Sequence, residues 1–394
     1  MLMPPAIPAG INALRLALGG SGLAPRLRAE LLSELALQCA HAGLARDGLD
    51  AVKEAVELAD AHKLPLAKER ALNAAAVCHH ARGDFLMAIA CGIDAYIGFA
   101  EDNRHADMGH ALTTVAAACK DVRAFDLAER ALRGCINIAR RAGDQFLLAR
   151  TQNTLAELVG DLQRFDEAGL LLADSRANMQ ASGRQDHLAQ ISGNQCRLHK
   201  KMAQDAIHRG AAEFAARELR EAIALMHAGM DETVRNNDQY ELLATTRTLG
   251  EYHFLLGENL AARGYFDGTL ALARQLNHAL LICESQLFLG RLAMLENDPA
   301  SAQRWLGDSL AHARRRNIMS VQPELHTELA DVFDAIARPN EADLHRAAAM
   351  DWSRRNADSH REVEREARAM WTSHFSRHPL IENERAGVNC LDVQ

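Results

Sequence analysis

The sequence holds 18 histidines, 8 cysteines and 52 aspartates and glutamates, material for metal, nucleophilic or acid–base chemistry if any of them share a working arrangement. His374 and His378 stand one helical turn apart and could share a metal. No glutamate of the zinc-protease type lies between them, however, and Pro379 follows at once. His79 and His80 are adjacent, so a helix would send them to different sides. The cysteines at 39, 78, 91, 119, 135, 196, 283 and 390 include no pair with the two-residue gap of a zinc or redox motif. Small buried thiols in a reducing cytosol are the expectation for them. Glu362, Glu364 and Glu366 belong to a charge run of the kind that forms a solvated face. No phosphate-binding glycine loop and no nucleophile elbow occurs. The reading is of a protein that is not an enzyme, with no metal and no cofactor.

What remains is the chemistry of recognition. Asn73, Thr113, Asn153, Lys200 and Arg247 recur at one register position, and Glu157, Gln204, Glu251, Arg291 and Asp331 recur one helical turn on. Arg70, His110 and Arg150 flank the start of this ladder. An amide donates and accepts together, which suits a peptide backbone. Arginine can grip a carboxylate at two points. The candidate groove residues are therefore Asn73, Arg150, Asn153, Glu157, Lys200, Arg247, Glu251 and Arg291. Any one of them alone could be a polar residue on an exposed helix face; the regular spacing favours a common groove.

Such a ladder needs elements that repeat. The stretch Ala149–Ser175 shows the unit: two amphipathic helices joined by a turn near Leu162–Arg164, with Leu155, Leu158 and Val159 on one face and Phe165, Ala168, Leu171 and Leu172 on the other. One hairpin cannot bury both faces and needs neighbours of its kind. Anchors equivalent to Ala168 occur at Val52, Ala88, Ala128, Ala215, Ala262, Ala302 and Ala342, with spacings of 36, 40, 40, 47, 47, 40 and 40 residues. Twelve residues before the anchor stands a small residue: Ala76, Ala116, Ala156, Ala203, Gly250, Gly290 and Ala330. Four after it come mostly large ones, among them Leu132, Leu172, Leu219, Phe266 and Leu306, and seven after it small ones again, such as Cys135, Ser175 and Ser309. Small side chains let backbones approach, and large ones fill the space beside them. No segment alternates with the period of a strand.

This pattern is similar to the tetratricopeptide repeat, over roughly residues 25–355. It departs from the consensus in lacking most of its Trp and Tyr, replaced by residues such as Leu72, Leu112, His79 and Cys119, in lacking the closing Pro, and in a period near 40 rather than about 34. Longer units of this kind resemble the regulatory arrays of bacterial signalling proteins. The words EREARAM and the aromatic soon after resemble the connector that follows such arrays in diguanylate cyclases, although nothing catalytic follows here. The alternative for that tail is a helix capping the last repeat. The resemblance implies an all-α fold: a right-handed superhelical solenoid of about eight hairpins with a long C-terminal helix. Its first helices would line a groove that binds a protein or peptide. The family's lysine–asparagine clamp for a C-terminal carboxylate is not reproduced.

The remaining expectations follow from composition. Residues 1–24, with three early prolines and no basic leader, read as flexible or loosely docked, 25–355 as the array, 356–378 as a charged helix and 379–394 as a flexible tail. A formal net charge of −8 argues against nucleic acid, and the lack of about 18 consecutive apolar residues argues against a membrane span. A cytoplasmic scaffold or adaptor in bacterial signalling is the first functional reading. The second is a sensor that changes superhelical pitch on binding a peptide or small molecule. The tail helix could also join two copies. If it does, light scattering should find a dimer that becomes a monomer when residues 357–394 are removed; an unchanged mass would exclude that role.

Overall fold

The computed structural model describes residues 9–375 apart from 21, 185–186, 236–238 and 317. The expected flexible tail 379–394 and His378 lie outside the described residues, as does the side chain of His374. Among the described residues the secondary structure is helical, with no strand. The chain divides into two compact units, 1–191 with 360–394, and 192–359.

The first unit holds α1 (Ala9–Leu18), α2 (Pro25–His41), α3 (Ala45–Ala61), α4 (Pro65–Arg82), α5 (Phe85–Glu101), α6 (His105–Asp121), α7 (Phe125–Ala142), α8 (Gln145–Asp161) and α9 (Phe165–Ala181). The second holds most of α10 (Leu188–His208), then α11 (Ala212–Arg235), α12 (Gln239–Leu255), α13 (Asn259–Gln275), α14 (Ala279–Leu295), α15 (Pro299–Arg316), α16 (Gln322–Ala335) and the N-terminal part of α17 (Pro339–Phe375). In each unit successive helices pack as antiparallel pairs. The first helices of neighbouring pairs also touch: α2 on α4, α4 on α6, α12 on α14 and α14 on α16. They thereby form one wall of each unit.

The 40-residue period has a local cause. Most helices are 17 residues long, about 25 Å, and each closes on one left-handed residue. In the first unit these residues are Gly43, Lys63, Gly83, Asn103, Arg123, Gly143, Gln163 and Gly183, one every 20 residues. At Gly83 the closure is a pair of reversed hydrogen bonds, Asp84 N–H to His79 O at 2.9 Å and Gly83 N–H to His80 O at 2.9 Å, which satisfies the last carbonyls of α4. Pro65, Pro299, Pro323 and Pro339 open helices, where a missing N–H costs nothing.

The packing register agrees with the sequence pattern at seven anchors. Ala88, Ala128, Ala168, Ala262, Ala302 and Ala342 are wholly buried and Ala215 nearly so. A Cβ on Gly290 would come within 2.7 Å of Leu306, and one on Gly250 within 3.0 Å of Phe266. The small residue of the first helix therefore seats the large residue of the second. Seven residues after the anchor a short polar side chain reaches back into its own hairpin. Ser175 Oγ donates to Ala149 O (2.7 Å), Ser309 Oγ to Cys283 O (2.9 Å) and Cys135 Sγ to Gly109 O (3.4 Å). Burial holds the thiols of the first helices protonated: Cys78 and Cys119 are pushed up to about 12 and Cys196 to about 11.

One expectation needs correction. The first anchor is Gly48, not Val52: it is the fourth residue of α3, as Ala88 is of α5, and the spacing becomes 40. A Cβ there would meet Cys78 Sγ at 2.7 Å, and twelve residues earlier stands buried Ala36. Val52 stands four residues after it, the place that Leu132 and Leu172 take in later repeats, so the large residue was read as the anchor. Within the segment expected to be flexible or loosely docked, Ala9–Leu18 forms α1, which docks on α2 through buried Ile11 and is tied by Arg15 to Asp47 (2.7 Å). The boundary expected at 355–356 lies inside α17, as does the division at 359–360.

Ala337 closes α16 with a φ of 58°, a conformation that costs an L-residue about 1 kcal/mol more than glycine. Ala337→Gly should therefore raise the urea midpoint of unfolding, and Gly143→Ala, at φ 67°, should lower it by a comparable free energy.

Candidate binding pocket on the first-helix wall

In the second unit, α10, α12, α14 and α16 surround a pocket of about 300 Å³. Its apolar surface comes from Phe254, Leu255, Leu287, Phe288 and Val321, and its polar rim from Gln204, Arg247, Glu251, Glu284, Arg291 and Glu324. Phe288 is the centre of the apolar part. It stacks on Phe266 (4.6 Å between centroids) and meets Phe254 edge-on (5.4 Å). The guanidiniums of Arg291 and Arg247 stand 5.1 and 5.8 Å from its ring. The aromatic ring thus fixes the stems of both arginines as well as filling the core.

The rim is an ion-pair chain that crosses from helix to helix. Lys200 Nζ lies 2.6 Å from Glu251, Arg247 bridges Glu251 (2.6 Å) and Glu284 (2.9 Å), and Arg291 bridges Glu324 (2.5 Å) and Glu328 (2.8 Å). Glu251 is only 10 % exposed, so part of this chain is desolvated. Burial pulls the Arg291 guanidinium towards the neutral form, but Glu328 and Glu324 outweigh it and hold the pKa above its ordinary value. Both arginines already hold carboxylates of their own chain. A ligand carboxylate would have to displace them, whereas the partly occupied donors and acceptors can accept an amide without losing a charge partner.

Four of the eight candidate residues, Lys200, Arg247, Glu251 and Arg291, therefore come together in this unit. Glu284, Glu324, Glu328 and Phe288 belong with them and were missed. A signal for two of them existed: Arg247–Glu284 and Arg291–Glu328 are both 37 residues apart, as are Lys120 and Glu157, which pair at 2.9 Å in the first unit. That offset is one repeat less about one helical turn, the spacing that brings adjacent first helices face to face.

The other four candidates stand in the first unit. Glu157 pairs with Lys120, and Asn153 is only 4 % exposed, so it is not the open polar residue its spacing suggested. Asn73 is half-buried. Arg150 lies against the Phe146 ring (5.7 Å), which Arg184 also covers (4.6 Å). Burial moves Arg150 below its usual pKa, and burial together with Arg150 lowers that of His110. Among the described residues no three His, Cys, Asp or Glu side chains gather as metal ligands, and no helix is long and apolar enough to cross a membrane.

No protein-family model matches the sequence, and no curated protein is similar to it at the level of sequence. Solved structures are similar in fold. A signal-transduction ATPase of the STAND type with a tetratricopeptide repeat sensor, from Pyrococcus horikoshii, matches 90% of this chain and 52% of its own, with a TM-score of 0.58 at 11% identity. Aspartyl phosphate phosphatase F from Bacillus subtilis matches 90% and 95%, with a TM-score of 0.53 at 11% identity. The Rap conjugation gene regulator of plasmid pLS20, solved in complex with the Phr* peptide, matches 86% and 98%, with a TM-score of 0.52 at 11% identity. The chain therefore has the tetratricopeptide-type helical-repeat fold.

The rim is expected to behave as one coupled network. A double-mutant cycle on Arg247→Met and Glu284→Gln should return a coupling of about 1 kcal/mol that shrinks in high salt, measured by chemical denaturation. A coupling of zero would mean the pair is an incidental surface contact.

Proposed function

We propose that the chain is a non-enzymatic binding module, and that the first-helix wall of its second unit holds an extended peptide segment of a partner. The observation that carries this reading is the pocket around Phe288. It combines an aromatic floor large enough for one side chain with a rim of fixed donors and acceptors that can bond a peptide backbone. Rigid helices hold the rim in place, so little ordering is required when a ligand arrives. The fold supports the reading, because the Rap regulator of similar fold was solved with a peptide. The same comparison supports a role in bacterial signalling, and the second partner of such an adaptor would be a protein.

A peptide-display selection against the full chain should enrich a family of sequences. Those peptides should lose about tenfold in affinity on Arg291→Gln or Glu284→Gln, the loss expected for one charge-assisted hydrogen bond. No enrichment, or affinities unchanged in both variants, would overturn the reading.

A further inference from the structure

The second unit contains another cavity, of about 460 Å³, between α15, α16 and α17. Its polar residues are Gln303, Arg314, His326 and His345, and no carboxylate lines it. Leu329, Phe333 and Leu344 contribute apolar wall, and Leu344 is 71% exposed. Elsewhere in this unit the arginines Arg247, Arg263 and Arg291 are each held by glutamate. Arg314 differs: its contact is Nη2 to His326 Nε2 at 3.5 Å, and it forms no ion pair among the described residues.

That contact sets the protons of the cluster. Arginine can only donate, so His326 Nε2 accepts and its proton sits on Nδ1. His326 Nδ1–H then donates to His345 Nδ1, 2.9 Å away. The proton of neutral His345 is consequently on Nε2, where no acceptor exists among the described residues. His326 is 4% exposed and His345 lies against the Phe333 ring (5.3 Å), so the chain is held in place by packing. Burial first, then His345 and Arg314, lower His326 to about 4, and burial and Arg314 lower His345. The cavity thus presents one unneutralised guanidinium and one imidazole N–H beside an apolar wall.

We propose that this cavity binds a small amphipathic monocarboxylate, its carboxylate taken by Arg314 and His345 and its hydrocarbon chain laid along Leu329, Phe333 and Leu344. A carboxylate is the acceptor that both donors lack, and a short alkyl chain is the shape the wall admits. The site is separate from the Phe288 pocket and does not depend on the peptide reading.

Octanoate is the probe, with octan-1-ol, octylamine and the dipeptide acid acetyl-leucyl-leucine as comparators. Calorimetry on the full chain should show octanoate binding, with the alcohol and amine weaker by about tenfold. Arg314 is exposed, so R314Q should fold normally. R314Q and H345F should each weaken octanoate by a similar factor, while leaving octan-1-ol unchanged. Equal binding of octanoate and octan-1-ol, binding unaffected by both variants, or preference for the dipeptide acid would overturn the proposal. So would octanoate binding that appears only after removal of residues 379–394, which would make the chain's own carboxyl terminus the occupant.

Discussion

The structure depends on one repeated close approach: a small residue in the first helix of each hairpin, against which the second helix seats a larger one. Ala76, Ala116, Ala156, Ala203, Gly250, Gly290 and Ala330 all occupy it and all are buried. Where the site is a glycine the partner is bulky, Phe266 or Leu306, and where the partner is itself Gly92 the gap is taken by Val115 of the next hairpin. The volume is shared differently from repeat to repeat, as close packing requires. The short hydroxyls and thiols one turn further on add a hydrogen bond across the same contact and no bulk.

Because that contact is made by small apolar residues, it leaves the outward side of the first helices free for polar ones. Adjacent first helices then lie near enough for charges to pair between repeats. Lys120–Glu157 in the first unit and the chain from Lys200 to Glu328 in the second are the result. The same geometry that stacks the hairpins therefore produces a wall of organised donors and acceptors. Around Phe288 this wall encloses a pocket. In the first unit the C-terminal part of α17 uses the second-helix side instead, with Arg368 on Asp126 at 2.7 and 2.8 Å and Arg130 over the ring of buried Trp371. Ala367 and Trp371 of this helix are thus a buried contact.

Much of the fold was legible because its cause is local. Helix length, the left-handed closing residue and the small anchor all sit within 20 residues of one another, so spacing alone reveals them. Gly48 escaped because a glycine carries no hydrophobic signal, and only its neighbours Ala36 and Cys78 show that it is an anchor. The first-helix wall was less legible. Register placed Arg247, Glu251 and Arg291 on it, yet could not say that their charges are already paired, since pairing depends on residues a repeat away. Asn153 shares its register with Asn73 and Arg247 but is buried, because burial is set by what surrounds a helix face and not by its spacing. The His326–His345 contact carried no sequence signal, joining two helices at no repeat offset.

The packing contact can be measured with a volume series at one glycine. Substituting Gly290 by Ala, Val and Leu should lower unfolding stability stepwise, reaching about 3 kcal/mol for the largest side chain, because Leu306 cannot retreat. The same series at Gly268, which has no atom within 4 Å of an added Cβ, should leave stability level or raise it slightly at alanine. Equal responses at the two glycines would contradict the close approach on which the repeats are stacked.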